Sequence, residues 1–204
     1  MMMVKSSRNC KGVFLFVASL AMLAVVSGCG INNIPTYSEK AHAEWSQVLN
    51  QYKRRADLIP NLTEVVKGYA AHEKSTLQSV IEARRQATQV TVPSDILSNP
   101  EAFKAFEKSQ NNLSGALSRL LVVSERYPDL KANQNFLTLQ SQLEGSENRI
   151  AVARRDFIEA VRVYNTELRT FPGRIWRSFL YSDMKAMENF SPPDSVQDAP
   201  SVKF

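Results

Sequence analysis

The hydrophobic residues of this chain recur every three to four positions, which is the spacing of one face of an α-helix. Glycine and proline are scarce between residues 36 and 171, and good helix formers are abundant. The pattern therefore predicts an all-α protein. Its first helix, from about Thr36 to Leu58, has the apolar stripe Ala41, Trp45, Val48, Leu49, Tyr52, Ala56 and Ile59.

Pro60 interrupts this pattern, because proline lacks the backbone donor of a helix interior and clashes with the preceding turn. Asn61, followed three residues later by Glu64, resembles a capping box. We therefore predict a turn at Pro60 and a second helix that continues to about Gln89. A kink within one long helix is the alternative.

The loop-like segment 90–100 precedes a third predicted helix, which begins near Pro100 and ends at Tyr127. The fourth, from about Leu130 to Thr170, would extend for roughly 60 Å at 1.5 Å per residue. Its apolar residues include a coiled-coil-like series seven apart, namely Phe136, Leu143, Ile150, Phe157 and Tyr164. Residues 36–172 thus predict an elongated antiparallel four-helix bundle.

A C-terminal tail, residues 173–204, follows the bundle and is rich in aromatic residues and methionine as far as Phe190. We expect part of it to fold back over the bundle. The alternative is an amphipathic element that contacts a membrane or a partner.

The N-terminus has the pattern of a bacterial lipoprotein signal peptide. Basic residues precede the apolar run Val13–Val26, which is too short to span a membrane and ends in Val26-Ser27-Gly28-Cys29. Residues 1–28 are therefore predicted to be cleaved, Cys29 to carry fatty acyl chains such as palmitate, and residues 29–35 to form a tether. An uncleaved short anchor is the alternative, and both place the remaining chain outside the cytoplasm.

Removing this segment changes the charge. The whole chain has 25 basic and 20 acidic residues, and three of the basic residues lie in the signal peptide. The nearly balanced remainder gives no reason to expect a nucleic acid partner. Gly30 follows Cys29 where an aspartate would resemble an inner-membrane retention signal. In a bacterium with two membranes, we expect the periplasmic face of the outer membrane.

Candidate catalytic groups are few. His42 follows Glu39 with the Glu-x-x-His spacing of di-iron bundles, but such sites need a second copy, and His72 has Tyr69 at the corresponding position. The sequence contains neither a glycine-rich phosphate loop nor a Gly-x-Ser-x-Gly motif. We therefore expect no enzyme activity, cofactor, metal or small-molecule substrate. A metal-binding bundle remains an alternative.

Adjacent basic residues recur at 54–55, 84–85 and 154–155. Neighbours on a helix point about 100° apart, so one residue of each pair can face inward. A buried arginine–carboxylate pair near the seam of the fourth helix would fix helix register. Solvated faces are the other interpretation.

Several segments together resemble the LemA family over roughly residues 35–204. These segments are 52–62, 66–73, 122–133, 143–150, Tyr164-Asn165, Phe171-Pro172 and 200–204. The resemblance implies a bromodomain-like four-helix bundle with an N-terminal membrane anchor and no established enzymatic activity. Typical members have a spanning helix where this chain has a lipobox, and residues 176–182 also depart from the family pattern.

The leading expectation is a non-enzymatic envelope scaffold or adaptor, bound to the membrane through Cys29 and to an unidentified envelope protein. An accessory regulator of an envelope protease or peptidoglycan enzyme is the alternative. The candidates for a core network or partner contact are Arg54, Arg55, Asp57, Pro60, Asn61, Lys67, Tyr69, Glu147, Asn148 and Arg149.

Overall fold

The computed structural model describes residues 30–90 and 92–190. The predicted signal peptide, the predicted acylation site Cys29 and the end of the tail, 191–204, lie outside these residues. The described chain is all-α, as predicted. Its helices are α1 Asn33–Tyr69, α2 Lys74–Gln89, α3 Pro100–Ser124, α4 Pro128–Lys131, α5 Gln134–Glu167 and α6 Gly173–Phe179, with a 3₁₀ turn at Ile96–Ser98.

The four long helices α1, α2, α3 and α5 alternate in direction, and α1 packs most extensively against α5. The predicted seam of α5 is confirmed, since Phe136, Leu143, Ile150, Phe157 and Tyr164 are all buried. Several helix boundaries differ from expectation. Residues 33–35, expected in the tether, form the first turn of α1, and α5 begins only at Gln134, because the Asn133 side chain caps the amides of Asn135 and Phe136.

The predicted turn at Pro60 is wrong. Helix α1 continues through Pro60 to Tyr69, and the chain reverses only at residues 70–73. Proline leaves the carbonyl oxygen four residues earlier, that of Ala56, without its helical partner. The Arg84 Nε of α2 donates to this oxygen at 2.9 Å. A contact between helices thus replaces the missing hydrogen bond and lets the helix pass through the proline.

This exchange of partners predicts a coupling between two substitutions. Arg84→Ala leaves the Ala56 carbonyl unpaired and should cost about 1–2 kcal/mol of unfolding free energy. In a Pro60→Ala background the restored amide can bond Ala56, so the same substitution should cost much less. Urea denaturation of the four proteins of this cycle measures the coupling. Equal costs in both backgrounds would contradict the replacement.

The interior is divided into two cores along the bundle axis. The aromatic core, near Gly30, contains the rings of Trp45, Tyr52, Phe103, Phe106, Phe157 and Phe190. The distal core, at the other end, is formed mainly by aliphatic residues of α1, α2, α3 and α5. Residues of α2 contribute only to the distal core. The bundle therefore has four full helices in its distal half only.

The 3₁₀ turn and the C-terminal tail take the place of α2 in the aromatic core. Ile96 and Leu97 of the turn are buried there, together with Met187 and Phe190 of the tail. The Glu188 amide donates to the Leu97 carbonyl oxygen at 2.6 Å, which joins the two replacement segments. The tail as far as residue 190 is therefore part of the folded body.

Side chains of α5 hold the tail by its backbone. The Asn165 amide group donates to Met187 O at 2.8 Å, and its oxygen accepts from Met187 N at 2.9 Å. The Tyr164 hydroxyl donates to Lys185 O at 3.0 Å. A single asparagine thus pairs with both main-chain groups of one tail residue, much as a neighbouring strand would.

Candidate functional site

A polar layer separates the two cores, and Arg55 of α1 is its centre. Tyr52 belongs to the aromatic core and Ile59 to the distal core, so Arg55 lies between them. Its side chain is 1 % exposed. A buried guanidinium is stable only when other groups replace the water that it loses.

Three side chains and one carbonyl group supply those replacements. Nη1 donates to Glu147 Oε1 of α5 at 2.9 Å and to Ser114 Oγ of α3 at 2.7 Å. Nη2 donates to Gln110 Oε1 at 2.8 Å and to Gln110 O at 3.3 Å. The guanidinium also lies over the Tyr52 ring, 5.1 Å from its centroid, although its Nε has no partner among the described residues.

Gln110 extends the layer to α2, because its Nε2 donates to Ala87 O at 3.3 Å. The layer therefore links all four long helices at one level of the bundle. A helix that slipped by one turn would break these bonds and leave a buried charge, so the layer fixes the register of the helices. Apart from Arg55 Nε, the guanidinium donors are bonded within the layer, which assigns the layer a structural role.

A second arginine connects the polar layer to the tail. Arg154 of α5 forms an ion pair with Glu107 of α3 at 3.3 Å, and its guanidinium lies 4.0 Å from the centroid of Phe190. Burial raises the pKa of the Tyr52 phenol, and the nearby Arg154 and Arg55 charges oppose this effect. The Tyr52 phenol is therefore neutral although two arginines lie close to it.

The structure brings together only Arg55 and Glu147 of the residues singled out in the sequence. Tyr69 accepts a hydrogen bond from Asn133 Nδ2 at 2.9 Å, in the turn region at the distal end. The remaining candidates are exposed, namely Arg54, Asp57, Pro60, Asn61, Lys67, Asn148 and Arg149. Arg54, Asp57 and Asn61 follow helical spacing and form one solvent-facing stripe on α1, which we call the α1 stripe.

Sequence reasoning missed Gln110, Ser114 and Asn165 as structural residues. Gln110 and Ser114 are polar residues within a good helix, and the sequence contains no sign that they face an arginine on another helix. Asn165 lies in a segment of family resemblance, and that was the available signal. One arginine of each adjacent basic pair faces another helix, as the sequence indicated. These residues are Arg55, Arg84 and Arg154.

The histidine considered for metal binding is exposed. His42 lies at an open groove of about 290 Å³ between α1, the 3₁₀ turn and the tail. Within residues 30–90 and 92–190, no group of three or more His, Cys, Asp or Glu side chains is placed to hold a metal ion. No helix in the same residues is long and apolar enough to cross a membrane.

Fold and site together define an all-α bundle whose helices are locked by a buried arginine–glutamate layer and whose aromatic core is completed by a C-terminal tail. The family model described as "LemA family" matches residues 44–204. The chain belongs to the LemA family. The sequence resemblance is thereby confirmed.

Similar proteins include two from Paramagnetospirillum magneticum, "Magnetosome protein MamQ 1" and "Magnetosome protein MamQ 2". Each is 26 % identical over 176 residues, which cover 78 % of this chain and 62 % of the relative. "Magnetosome protein MamQ" of Magnetospirillum gryphiswaldense is 23 % identical over 178 residues, which cover 78 % and 65 % respectively. The match thus spans less than two thirds of the length of these relatives.

Proposed function

We propose that this LemA-family protein is a non-enzymatic scaffold or adaptor of the bacterial envelope, held at a membrane by acylated Cys29. Its proposed location is the periplasmic face of the outer membrane where two membranes exist. The polar layer carries this proposal, because buried Arg55 is paired with Glu147 of α5 and bonded to Gln110, which links the layer to α2, so these groups serve the fold. We do not extend the magnetosome role in the names of the relatives to this chain. Those relatives are 23–26 % identical to it, and each is longer than the matched segment.

The α1 stripe is the proposed contact with a partner protein. Arg54, Asp57 and Asn61 are exposed, yet they belong to segment 52–62 of the family resemblance. No hydrogen bond or ion pair between described residues engages their side chains in the way that Arg55 is engaged. Exposed polar residues of this kind are available to recognise another protein.

Crosslinking in cells tests this proposal. The triple variant Arg54→Ala, Asp57→Ala, Asn61→Ala should lose a crosslinked product that the wild type forms, while its thermal midpoint stays within about 2 °C of the wild type. Lys108→Ala, an exposed lysine on α3, is the matched control and should keep the product.

The lipid anchor has a test of its own. Cys29→Ala should lose the fatty acyl mass, and the protein should no longer be found in the membrane fraction. Full crosslinking by the triple variant would reject the contact, and an unacylated wild type would reject the lipid anchor.

A further inference from the structure

The most exposed large apolar side chains of the described residues are Phe171 at 81 % and Phe179 at 80 %. Leu180 at 55 % and Ile175 at 43 % lie in the same ten-residue stretch. Exposed apolar residues are ordinary when they are scattered, but a cluster of this kind marks a surface that contacts something else. We call residues 171–180 the apolar end.

The charged residues within the apolar end are all basic, and the acidic Glu167 and Asp183 flank the stretch 168–182. Between Leu168 and Ser182 the charged residues are Arg169, Arg174 and Arg177, and no acidic residue occurs. Residues 30–38, which begin α1 at the same end of the bundle, contain no charged side chain. Exposed aromatic and aliphatic groups interspersed with arginine match the headgroup region of an anionic bilayer.

The apolar end lies beside the point where the membrane anchor enters the fold. A Cβ placed on Gly30 would be 3.4 Å from Pro172 Cγ. Asn33 Nδ2 of the first α1 turn donates to Glu167 Oε1 of α5 at 3.2 Å. Cys29 is bonded directly to Gly30, so the proposed acylation site is the chain neighbour of a residue that packs beside Pro172.

Contacts with the folded body hold the apolar end in place. Gly173 is buried, and a Cβ there would collide with the Glu167 carbonyl oxygen and lie 2.8 Å from its Oε1. The Arg177 Nε donates to Met184 O at 3.3 Å, which joins α6 to the tail segment that the core holds. The backbone that bears the exposed Phe171 and Phe179 side chains is therefore held against the bundle.

We propose that the apolar end inserts into the headgroup region of an anionic phospholipid bilayer. Phe171, Ile175, Phe179 and Leu180 enter the interface, and the exposed Arg169 and Arg174 contact lipid phosphates. The bundle axis then points away from the membrane, with the distal core outermost. This inference rests on the proposed function, since a membrane anchor at Cys29 brings the surface to the bilayer.

Nitroxide labelling of the full chain tests the inference. The protein is purified from membranes and reconstituted in vesicles of phosphatidylethanolamine and phosphatidylglycerol, with a spin label on Phe179→Cys. The matched control is a label on Val122→Cys, an exposed apolar position (71 %) near the distal end of α3. We expect the ratio of oxygen to nickel-complex accessibility to be several-fold higher at residue 179 than at residue 122.

Equal, water-like ratios at the two positions would overturn the inference. Shielding of the residue 179 label from both reagents would also overturn it, because that result means coverage by protein. Replacing phosphatidylglycerol with phosphatidylcholine should lower the ratio at residue 179, and an unchanged ratio would reject the role of the arginines.

Mass analysis of the Cys29 peptide keeps this inference separate from the lipid anchor. A chain that is acylated but has a water-like label at residue 179 retains the anchor and loses the inference. A chain that lacks acyl groups but has a lipid-exposed label retains the inference and loses the anchor. Wild-type protein treated with the same label corrects for any free thiol at Cys29.

Discussion

Glu147→Ala is expected to lower the free energy of unfolding by about 3 kcal/mol, because it leaves the Arg55 charge buried without its carboxylate partner. Arg55 is 1 % exposed, whereas Glu147 is 43 % exposed and is already hydrated in part. The desolvation cost of the pair therefore falls mainly on the arginine. Urea denaturation monitored by circular dichroism measures the loss.

A second substitution should recover most of this stability. Met in place of Arg55 removes the buried charge and keeps much of the side-chain volume, so Arg55→Met with Glu147→Ala should be clearly more stable than Glu147→Ala alone. Glu144→Ala is the control, because Glu144 is exposed one turn earlier on α5. It should change stability by less than about 0.5 kcal/mol. If the double variant is less stable than Glu147→Ala, the account of the polar layer is wrong.

Phe190→Ala is expected to cost about 3 kcal/mol, because it removes a ring from the centre of the aromatic core. Phe190 packs 5.1 Å from Phe103, 5.7 Å from Phe157 and 6.1 Å from Trp45, measured between ring centroids. The substitution also removes the surface on which Arg154 rests. Hydrogen exchange should show the amides of residues 184–189 opening first, followed by those of the 3₁₀ turn.

Phe179→Ala provides the matched comparison for this experiment. Phe179 is also a tail phenylalanine, but it is 80 % exposed, so its removal should leave stability within about 0.5 kcal/mol of the wild type. If both substitutions cost equally little, the tail is not part of the core. If Phe190→Ala exposes α5 before the tail, the order of opening is wrong.

Periodicity predicts the elements of this fold well and their ends less well. The seam of α5 follows from large apolar residues seven apart, because that spacing places them on one face of the helix. The loop at 90–100 follows from its two prolines. The ends of the helices depend on single contacts, such as the Asn133 cap. An asparagine also occurs at many positions where no helix begins, so the residue alone does not locate the end.

The error at Pro60 has a different cause. The local rule that proline ends a helix assumes that the freed carbonyl oxygen must otherwise face water or remain unpaired. Arg84 lies on another helix, and the folded structure brings its side chain to the Ala56 oxygen. A rule that considers neighbours in the sequence has no access to that donor.

The candidate site was predictable to a limited extent for the same reason. Arg55 and Glu147 could be selected as members of family-like motifs, and a buried pair near the α5 seam was one of two interpretations. Their pairing with each other, and with Gln110 and Ser114, depends on how three helices pack. Periodicity alone contains no information about which polar residues lie opposite one another.

The packing of Trp45 against Phe190 also limits the order in which the two cores can fold. One ring lies near the start of α1 and the other near the end of the described chain, 6.1 Å apart between centroids. The aromatic core therefore cannot close until the chain has emerged as far as Phe190, whereas the distal core needs residues only as far as Leu143. Long-range closure of this kind slows folding. A chain that is exported unfolded would keep its aromatic core open until Phe190 has crossed the membrane.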